Sequence, residues 1–195
     1  MLTAQARRRG VRLELLTVGW NAVEAGVAIV AGIAASSVAL VGFGLDSVVE
    51  VSAALVVLWQ FLGIGEERER RALRLIGGSF FALAAYVAAT SVYDLATGAE
   101  PETSKVGIVL TAVSLVVMPA LAWAKRRAGR QMQSRTLVAD STQTQLCAYL
   151  SASTLAGLAA NAAFGWWWAD PLAALVIAVV AVREGREAWR GDTCC

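Results

Sequence analysis

The sequence predicts an all-α polytopic membrane protein with six transmembrane helices and both the N and C termini on the cytoplasmic side. Composition is the first observation behind this fold class, because 57% of the 195 residues are hydrophobic and the mean hydropathy is +0.59. A soluble domain is usually about 45–50% apolar. The apolar residues also gather in blocks of roughly 20, the length that a helix needs to cross a bilayer. The third observation is that the basic residues cluster between alternate blocks.

The six apolar blocks define the predicted transmembrane helices, and no segment between them is long enough for a soluble domain. We therefore divide the chain into a cytoplasmic N-terminal segment (1–13), a six-helix membrane domain (14–190) and a short Cys-containing tail (191–195). The predicted spans run over residues 14–35, 37–61, 75–96, 105–124, 137–163 and 168–183.

The basic residues predict the orientation of the chain. They form clusters before the first span, between the second and third, between the fourth and fifth, and after the sixth, and Lys125 opens the third of these clusters. Lys105 alone among the 17 Lys and Arg residues falls in a loop on the opposite side. Because basic loops stay in the cytoplasm, an even number of spans places both termini there. We expect a multi-pass protein of the cell membrane.

Several functional classes receive no support from the sequence. The chain contains no histidine, which removes the commonest transition-metal ligand and proton shuttle. It also has no nucleotide-binding glycine motif, nucleophile elbow or catalytic triad. We therefore expect no enzymatic activity, no required cofactor and no nucleic-acid partner.

Asp46 and Glu50 form the most informative pair of residues, because both acids fall inside the second apolar span. A carboxylate in the hydrocarbon core costs about 2.5–3.5 kcal/mol on insertion scales. Four residues apart on a helix, the two side chains stand one turn apart on the same face. Their mutual repulsion is relieved by a proton or, better, by a divalent cation. The alternative is a pair of protonated or internally hydrogen-bonded acids that hold helices together.

Other polar residues extend this interpretation to the first and fifth helices. Glu24 follows Asn21 by three residues on one face of the first helix. We interpret Glu24 as a proton relay or access-path residue, or alternatively as a structural acid, and Asn21 as part of the same path or as a helix–helix hydrogen bond. On the fifth helix, Asp140, Gln143 and Cys147 share one face, and a carboxylate, an amide oxygen and a thiolate all ligate metals. A buried cysteine is also common as a packing residue.

Two segments of the chain resemble the cation diffusion facilitator family of metal/proton antiporters. Residues 36–52 (SSVALVGFGLDSVVEVS) are similar to the second helix of the family, with Asp46 and Glu50 on its metal-binding pair. Residues 139–151 (ADSTQTQLCAYLS) are similar to its fifth helix, and residues 168–175 (WADPLAAL) to the start of its sixth. The resemblance implies a homodimer in the lipid bilayer that exports a divalent transition-metal ion, commonly Zn²⁺, in exchange for protons.

The sequence departs from the family pattern at positions that bear on the site. Gln143 replaces the histidine and Cys147 the aspartate of the fifth-helix pair, and the cytoplasmic metal-sensing domain does not follow the sixth helix. We expect a site formed by Asp46, Glu50 and Cys147, completed by Gln143 or Asp140, in which the thiolate shifts preference toward softer ions such as cadmium. The alternative function is a degenerate, non-transporting membrane scaffold or regulatory metal-binding protein. Cys194 and Cys195 are interpreted either as a collector of soft metal ions or as an unstructured tail.

Overall fold

The computed structural model describes residues 4–34, 38–63, 66–98, 105–164 and 166–191 and consists there of helices without strands. The six predicted helices are confirmed. The last residues of the predicted tail, 192–195, lie outside the described residues. The helices are α1 (Ala4–Ala34), α2 (Val38–Phe61), α3 (Glu66–Thr97), α4 (Lys105–Met132), α5 (Arg135–Phe164) and α6 (Ala169–Arg190).

Several helices extend beyond the apolar spans at their predicted cytoplasmic ends. Glu67 and Arg71 form an ion pair at 2.8 Å in the first turns of α3, and Arg183 and Glu187 form one at 3.2 Å near the end of α6. Pairs spaced four residues apart support helical structure in charged sequence. Segments that hydropathy assigns to loops are therefore helical. Lys125 is the important case, because it lies inside α4 rather than in a cytoplasmic loop.

The bundle exposes many large apolar side chains and buries charged ones, alongside an apolar core between its helices. Val30, Val116 and Val179 are 70%, 73% and 71% exposed. By contrast, Glu14 and Lys125 have no exposed surface at all. Lipid is as apolar as these valines, so their exposure carries no penalty in a membrane. The polar side chains must instead be satisfied within the bundle.

Four of the described helices, α1 to α4, are long and apolar enough to cross a membrane. The sequence of α5 carries an uninterrupted polar run over residues 140–145. Because α5 packs against α2, α3, α4 and α6, its polar run faces other helices. The described structure is thus that of a polytopic all-α membrane protein.

The helices pack most extensively as three pairs, α1 with α2, α4 with α5, and α3 with α6. The buried acids of the candidate site and their partners lie on α1, α2, α4 and α5. The α3–α6 pair is held by close backbone approach. A Cβ atom added to Gly77 would lie 2.9 Å from the carbonyl oxygen of Gly185 and 3.2 Å from the backbone nitrogen of Trp189.

We predict that Gly77→Ala destabilises the protein whereas Gly78→Ala does not. The added methyl group at Gly77 meets backbone atoms, which cannot rotate away, and overpacking costs about 1–3 kcal/mol. The gain in helix propensity of about 1 kcal/mol offsets only part of that cost. A Cβ at Gly78 meets no atom within 4 Å, so that variant receives the gain alone. Thermal unfolding in detergent measures the difference, and equal melting temperatures would contradict the packing argument.

Candidate metal site

Asp46 and Glu50 lie in the interior of the bundle and not against lipid. Their side chains are 3% and 1% exposed, and they are close enough for electrostatic repulsion. Oδ2 of Asp46 and both carboxylate oxygens of Glu50 accept no hydrogen bond of ordinary geometry within the described structure, although Thr144 and Cys147 lie beside Glu50. Buried acceptors without a donor are rare because each loses its hydration uncompensated. The pair thus offers several oxygen atoms to a proton or a cation.

Cys147 reaches this pair from α5. Its side chain is 1% exposed and lies against the carboxyl groups of both Asp46 and Glu50. It also packs against Met118 of α4 and against Ala148. The structure therefore places a thiol of the fifth helix next to the acid pair of the second. That these three side chains ligate a metal stays a prediction. Among the described residues, no three Cys, Asp or Glu side chains are arranged closely enough to enclose a metal ion on their own.

Gln143 lies one turn before Cys147 on α5 and is 2% exposed. Neither its amide oxygen nor its amide nitrogen has a hydrogen-bond partner in the part of the chain that the structure describes. An unpartnered buried amide is free to turn its oxygen toward a bound ion. Its participation in the site stays a prediction.

Asp140 is engaged in a buried ion-pair network that the sequence did not indicate. Its Oδ2 accepts a hydrogen bond from the ammonium group of Lys125, whose Nζ also lies 3.3 Å from Oε2 of Glu14 and 3.2 Å from Oγ1 of Thr144. Glu14, Lys125 and Asp140 are completely buried, and we call them the buried triad. One oxygen of Asp140 is thereby bound to an internal cation, which leaves Oδ1 as its unpartnered atom.

Glu24 connects three helices next to the acid pair. Its carboxylate accepts a hydrogen bond of 2.9 Å from the hydroxyl group of Ser47 on α2 and another from Ser114 on α4. It also interacts electrostatically with Asp46 and Glu50. Glu24 therefore has the structural contacts of a helix-joining acid and, at the same time, the location expected of a relay or access residue.

Among the described residues, the side-chain hydrogen bond of Asn21 lies within its own helix rather than between helices. Its Nδ2 donates to the carbonyl oxygen of Thr17 at 3.0 Å within α1 itself. Its Oδ1 atom, although buried, has no partner among the described residues. The correction has a simple geometric cause, because the backbone carbonyl one turn earlier lies within reach of a short amide side chain.

The polar side chains form a column whose order follows from the helix directions. In the predicted orientation α2 runs toward the cytoplasm, so Glu50 lies one turn nearer to the cytoplasm than Asp46. The buried triad lies beyond Glu50 on the same side, because Glu14 and Asp140 fall near the cytoplasmic ends of α1 and α5. Glu50 interacts electrostatically with Lys125 and Asp140. The column thus leads from the triad to the acid pair, and Glu24 lies beside that pair through its hydrogen bond with Ser47.

Helical periodicity would have revealed the residues that hydropathy missed. On α4, buried side chains recur at three- and four-residue spacing, which places Lys125 on the same stripe as Ser114 and Met118. Glu14 begins a similar buried stripe on α1 that continues through Asn21 and Glu24. A search for apolar blocks ends the fourth span before Lys125 and makes Glu14 the first residue of the first span. The buried stripe instead places both residues in the interior of the bundle.

The fold and the site together define a class of protein, namely a polytopic helical membrane protein with a buried acid pair and a thiol in its polar interior. Residues 15–190 match the family described as the cation efflux transmembrane domain. The chain belongs to this family, in agreement with the resemblance that residues 36–52 and 139–151 suggested.

Two curated relatives illustrate the similarity. The chain is 35% identical over 77 residues to the cation-efflux pump FieF of Shewanella oneidensis, a match that covers 40% of this chain and 26% of that protein. It is 26% identical over 150 residues to the uncharacterized transporter sll1263 of Synechocystis, covering 71% of this chain and 48% of the relative. The matches therefore span less than half of the length of either relative.

Proposed function

We propose that this protein is a secondary transporter that exports a divalent transition-metal ion in exchange for protons. The observation that carries the proposal is the meeting of Asp46 and Glu50 with Cys147, from two helices, in the polar interior of a membrane bundle. Membership of the cation efflux family supports it. So does the similarity to a relative named as a cation-efflux pump.

Proton exchange follows from the chemistry of the ligands. Carboxyl and thiol groups ligate a metal only after they have lost their protons, so metal binding releases protons and metal release takes them up again. The unpartnered oxygens of Asp46 and Glu50 are the atoms at which this exchange would occur. Glu24, which contacts Ser47 beside the pair, is placed to pass protons or to line the path.

Sulfur chemistry decides which ion the site favours. Zinc accepts a mixed set of carboxylate and thiolate ligands. A thiolate also stabilises softer ions, which a purely oxygen-based site does not. The thioether of Met118 lies in the same cluster as Cys147 and adds a second soft donor nearby. We therefore propose zinc as the transported ion, with cadmium as a softer alternative.

The assembly and location of the transporter are part of the same proposal. Family resemblance implies a homodimer in the cell membrane, with each chain carrying its own column of polar side chains. Gln143, or Asp140 after release from Lys125, completes the ligand set in this proposal. Asp140 can use Oδ2 as a metal ligand only after the ammonium group of Lys125 has moved away from that oxygen.

A second candidate function is a non-transporting membrane scaffold or metal-binding regulator. The observation that favours it is the lack, among the described residues, of three acidic or thiol side chains close enough to enclose an ion. The presence of Gln143 and Cys147 at the family's histidine and aspartate positions points the same way. A scaffold would keep the fold and the buried ion pairs without metal-dependent proton movement.

We predict that Asp46→Asn reduces metal-driven proton movement by at least about tenfold, because one ligand and its exchangeable proton are lost. The measurement is zinc-dependent pH change inside proteoliposomes that contain a trapped pH-sensitive dye. Glu67→Gln is the matched control, since Glu67 is 80% exposed at the start of α3. Undiminished transport by Asp46→Asn would show that the site is assigned wrongly. Stoichiometric zinc binding without transport by the unaltered protein would favour the regulator.

We predict that Cys147→Ser lowers the affinity for cadmium relative to zinc by about tenfold, which corresponds to about 1.4 kcal/mol. The physical reason is the loss of the soft ligand. Calorimetry in detergent gives both affinities. The parent for this comparison is a Cys194→Ser/Cys195→Ser variant, in which the terminal thiols cannot contribute. An unchanged cadmium-to-zinc ratio would remove Cys147 from the ligand set.

A further inference from the structure

The ammonium group of Lys125 lies in a completely buried, oxygen-lined position at the cytoplasmic end of the polar column. Its Nζ is 3.3 Å from Oε2 of Glu14 on α1, hydrogen-bonded to Asp140 on α5, and 3.2 Å from Oγ1 of Thr144. Glu50 of α2 is the other charged group that interacts with it. A fully buried lysine within a membrane bundle is expensive and is therefore a candidate for function.

The location of the triad gives this lysine its significance. Glu14, Lys125 and Asp140 lie on three different helices, on the cytoplasmic side of Asp46 and Glu50. The oxygens Oε1 of Glu14 and Oδ1 of Asp140 have no donor within the described structure. The position held by the ammonium group is therefore already surrounded by oxygen atoms of the type that bind divalent cations.

We propose that the buried triad is an ion-pair gate between the cytoplasm and the candidate metal site, with the ammonium group of Lys125 occupying the position that an entering cation takes over. A divalent ion that reaches the triad repels the ammonium group and competes for the same carboxylates. The flexible four-carbon stem of lysine permits the ammonium group to withdraw. The role of the triad in transport rests on the proposed function. Its role as a barrier between the cytoplasm and the candidate metal site does not.

The gate can be tested through Cys147, which lies beyond it. In a Cys194→Ser/Cys195→Ser parent, we expect slow labelling of Cys147 by a membrane-impermeant cationic methanethiosulfonate reagent applied to the cytoplasmic face of inside-out vesicles. Lys125→Met removes the charge but keeps the length of the side chain. We expect it to increase the labelling rate at least about tenfold. Arg127→Met is the control, because Arg127 is an exposed cation of the same helix above the ring of Trp123.

A second variant with a neutral triad keeps the test valid if Lys125→Met alone does not fold. Glu14→Gln/Lys125→Met/Asp140→Asn leaves no uncompensated charge, and gel filtration reports whether either variant keeps the fold. Faster labelling in a folded variant, but not in Arg127→Met, supports the gate. Unchanged labelling in the folded variants, or equal acceleration in the control, overturns it. Because labelling requires neither metal nor flux, a gate that opens in a protein without transport would refute only the proposed function.

A separate pocket at the cytoplasmic end of α3 and α6 concentrates positive charge. It encloses about 320 Å³, and arginines from three helices line it. Two carboxylates stand at its edge, since exposed Glu66 pairs with Arg70 at 3.7 Å and Glu69 accepts a hydrogen bond from the backbone N–H of Arg135. An adjoining groove of about 740 Å³ between α3 and α6 is lined mainly by apolar side chains and shares Arg190 with the pocket. The arginines of the pocket are Arg70, Arg74, Arg135 and Arg190.

We infer that this pocket and groove bind one anionic phospholipid, with its phosphate among the arginines and an acyl chain along the groove. The inference is independent of transport. Converging guanidinium groups match phosphate oxygens in charge and geometry. Basic pockets on the cytoplasmic side of helical bundles suit anionic headgroups. The apolar groove leads from the charged pocket along the membrane-facing seam, which a lipid matches and a free anion does not.

Native mass spectrometry of the full chain in detergent tests this site with phosphatidylglycerol and phosphatidylcholine as probes. We expect Arg74→Gln/Arg135→Gln/Arg190→Gln to reduce phosphatidylglycerol adducts by about tenfold. The control Arg8→Gln/Arg9→Gln/Arg127→Gln removes the same number of arginines elsewhere and should leave the adducts unchanged. Equal loss in both triple variants, equal binding of phosphatidylcholine, or complete displacement by millimolar inorganic phosphate would overturn a lipid site.

Discussion

The constraint on which this structure depends is that polar groups must find their partners inside the bundle. Lipid offers no hydrogen bonds, so every acid, amide and ammonium group within the membrane is satisfied by another group of the protein or remains unsatisfied. The helices α1, α2, α4 and α5 carry the buried acids of the candidate site and the side chains that contact them, while apolar and aromatic side chains such as Val30, Val116 and Tyr149 are exposed on the outside. The ion pairs of Lys125 and the hydrogen bonds of Glu24 therefore also hold the helices together.

The buried acids differ in how many hydrogen-bond donors contact their carboxylate oxygens, and that difference distinguishes acids that join helices from candidate cation ligands. Glu24 has a hydroxyl donor from each of two neighbouring helices. Asp140 has an ammonium partner. The oxygens of Glu50 and Oδ2 of Asp46 accept no hydrogen bond of ordinary geometry within the described structure, although the hydroxyl group of Thr144 and the thiol of Cys147 lie beside Glu50. Glu24, with a donor for each oxygen, has the contacts of a joint between helices. Asp46 and Glu50 beside Cys147 are less completely paired, which fits the proposed cation site.

Sequence patterns predicted the helices and the acid pair because both depend on local spacing. Apolar blocks of membrane-spanning length predict helices directly, and a spacing of four residues places Asp46 and Glu50 on one face. Lys125 was assigned wrongly because hydropathy ends a span at the first charge, although the helix continues to Met132. The partners of Lys125 come from α1 and α5, and contacts between distant helices are not contained in the local pattern of any one of them. For Asn21, by contrast, the hydrogen-bond acceptor comes from its own helix, namely the carbonyl oxygen of Thr17.

The two hydrogen-bond partners of Glu24 are synthesised at different times, which orders the formation of its contacts. Its first partner, Ser47, follows it by 23 residues, whereas its second, Ser114, follows by 90. At about 5–20 residues per second, a ribosome needs on the order of 5–20 s to add that second partner. The hairpin of α1 and α2 is thus the earliest unit in which this acid is sheltered. In a newly inserted chain, Ser47 is the one hydroxyl partner available to Glu24 until α4 has been synthesised and inserted.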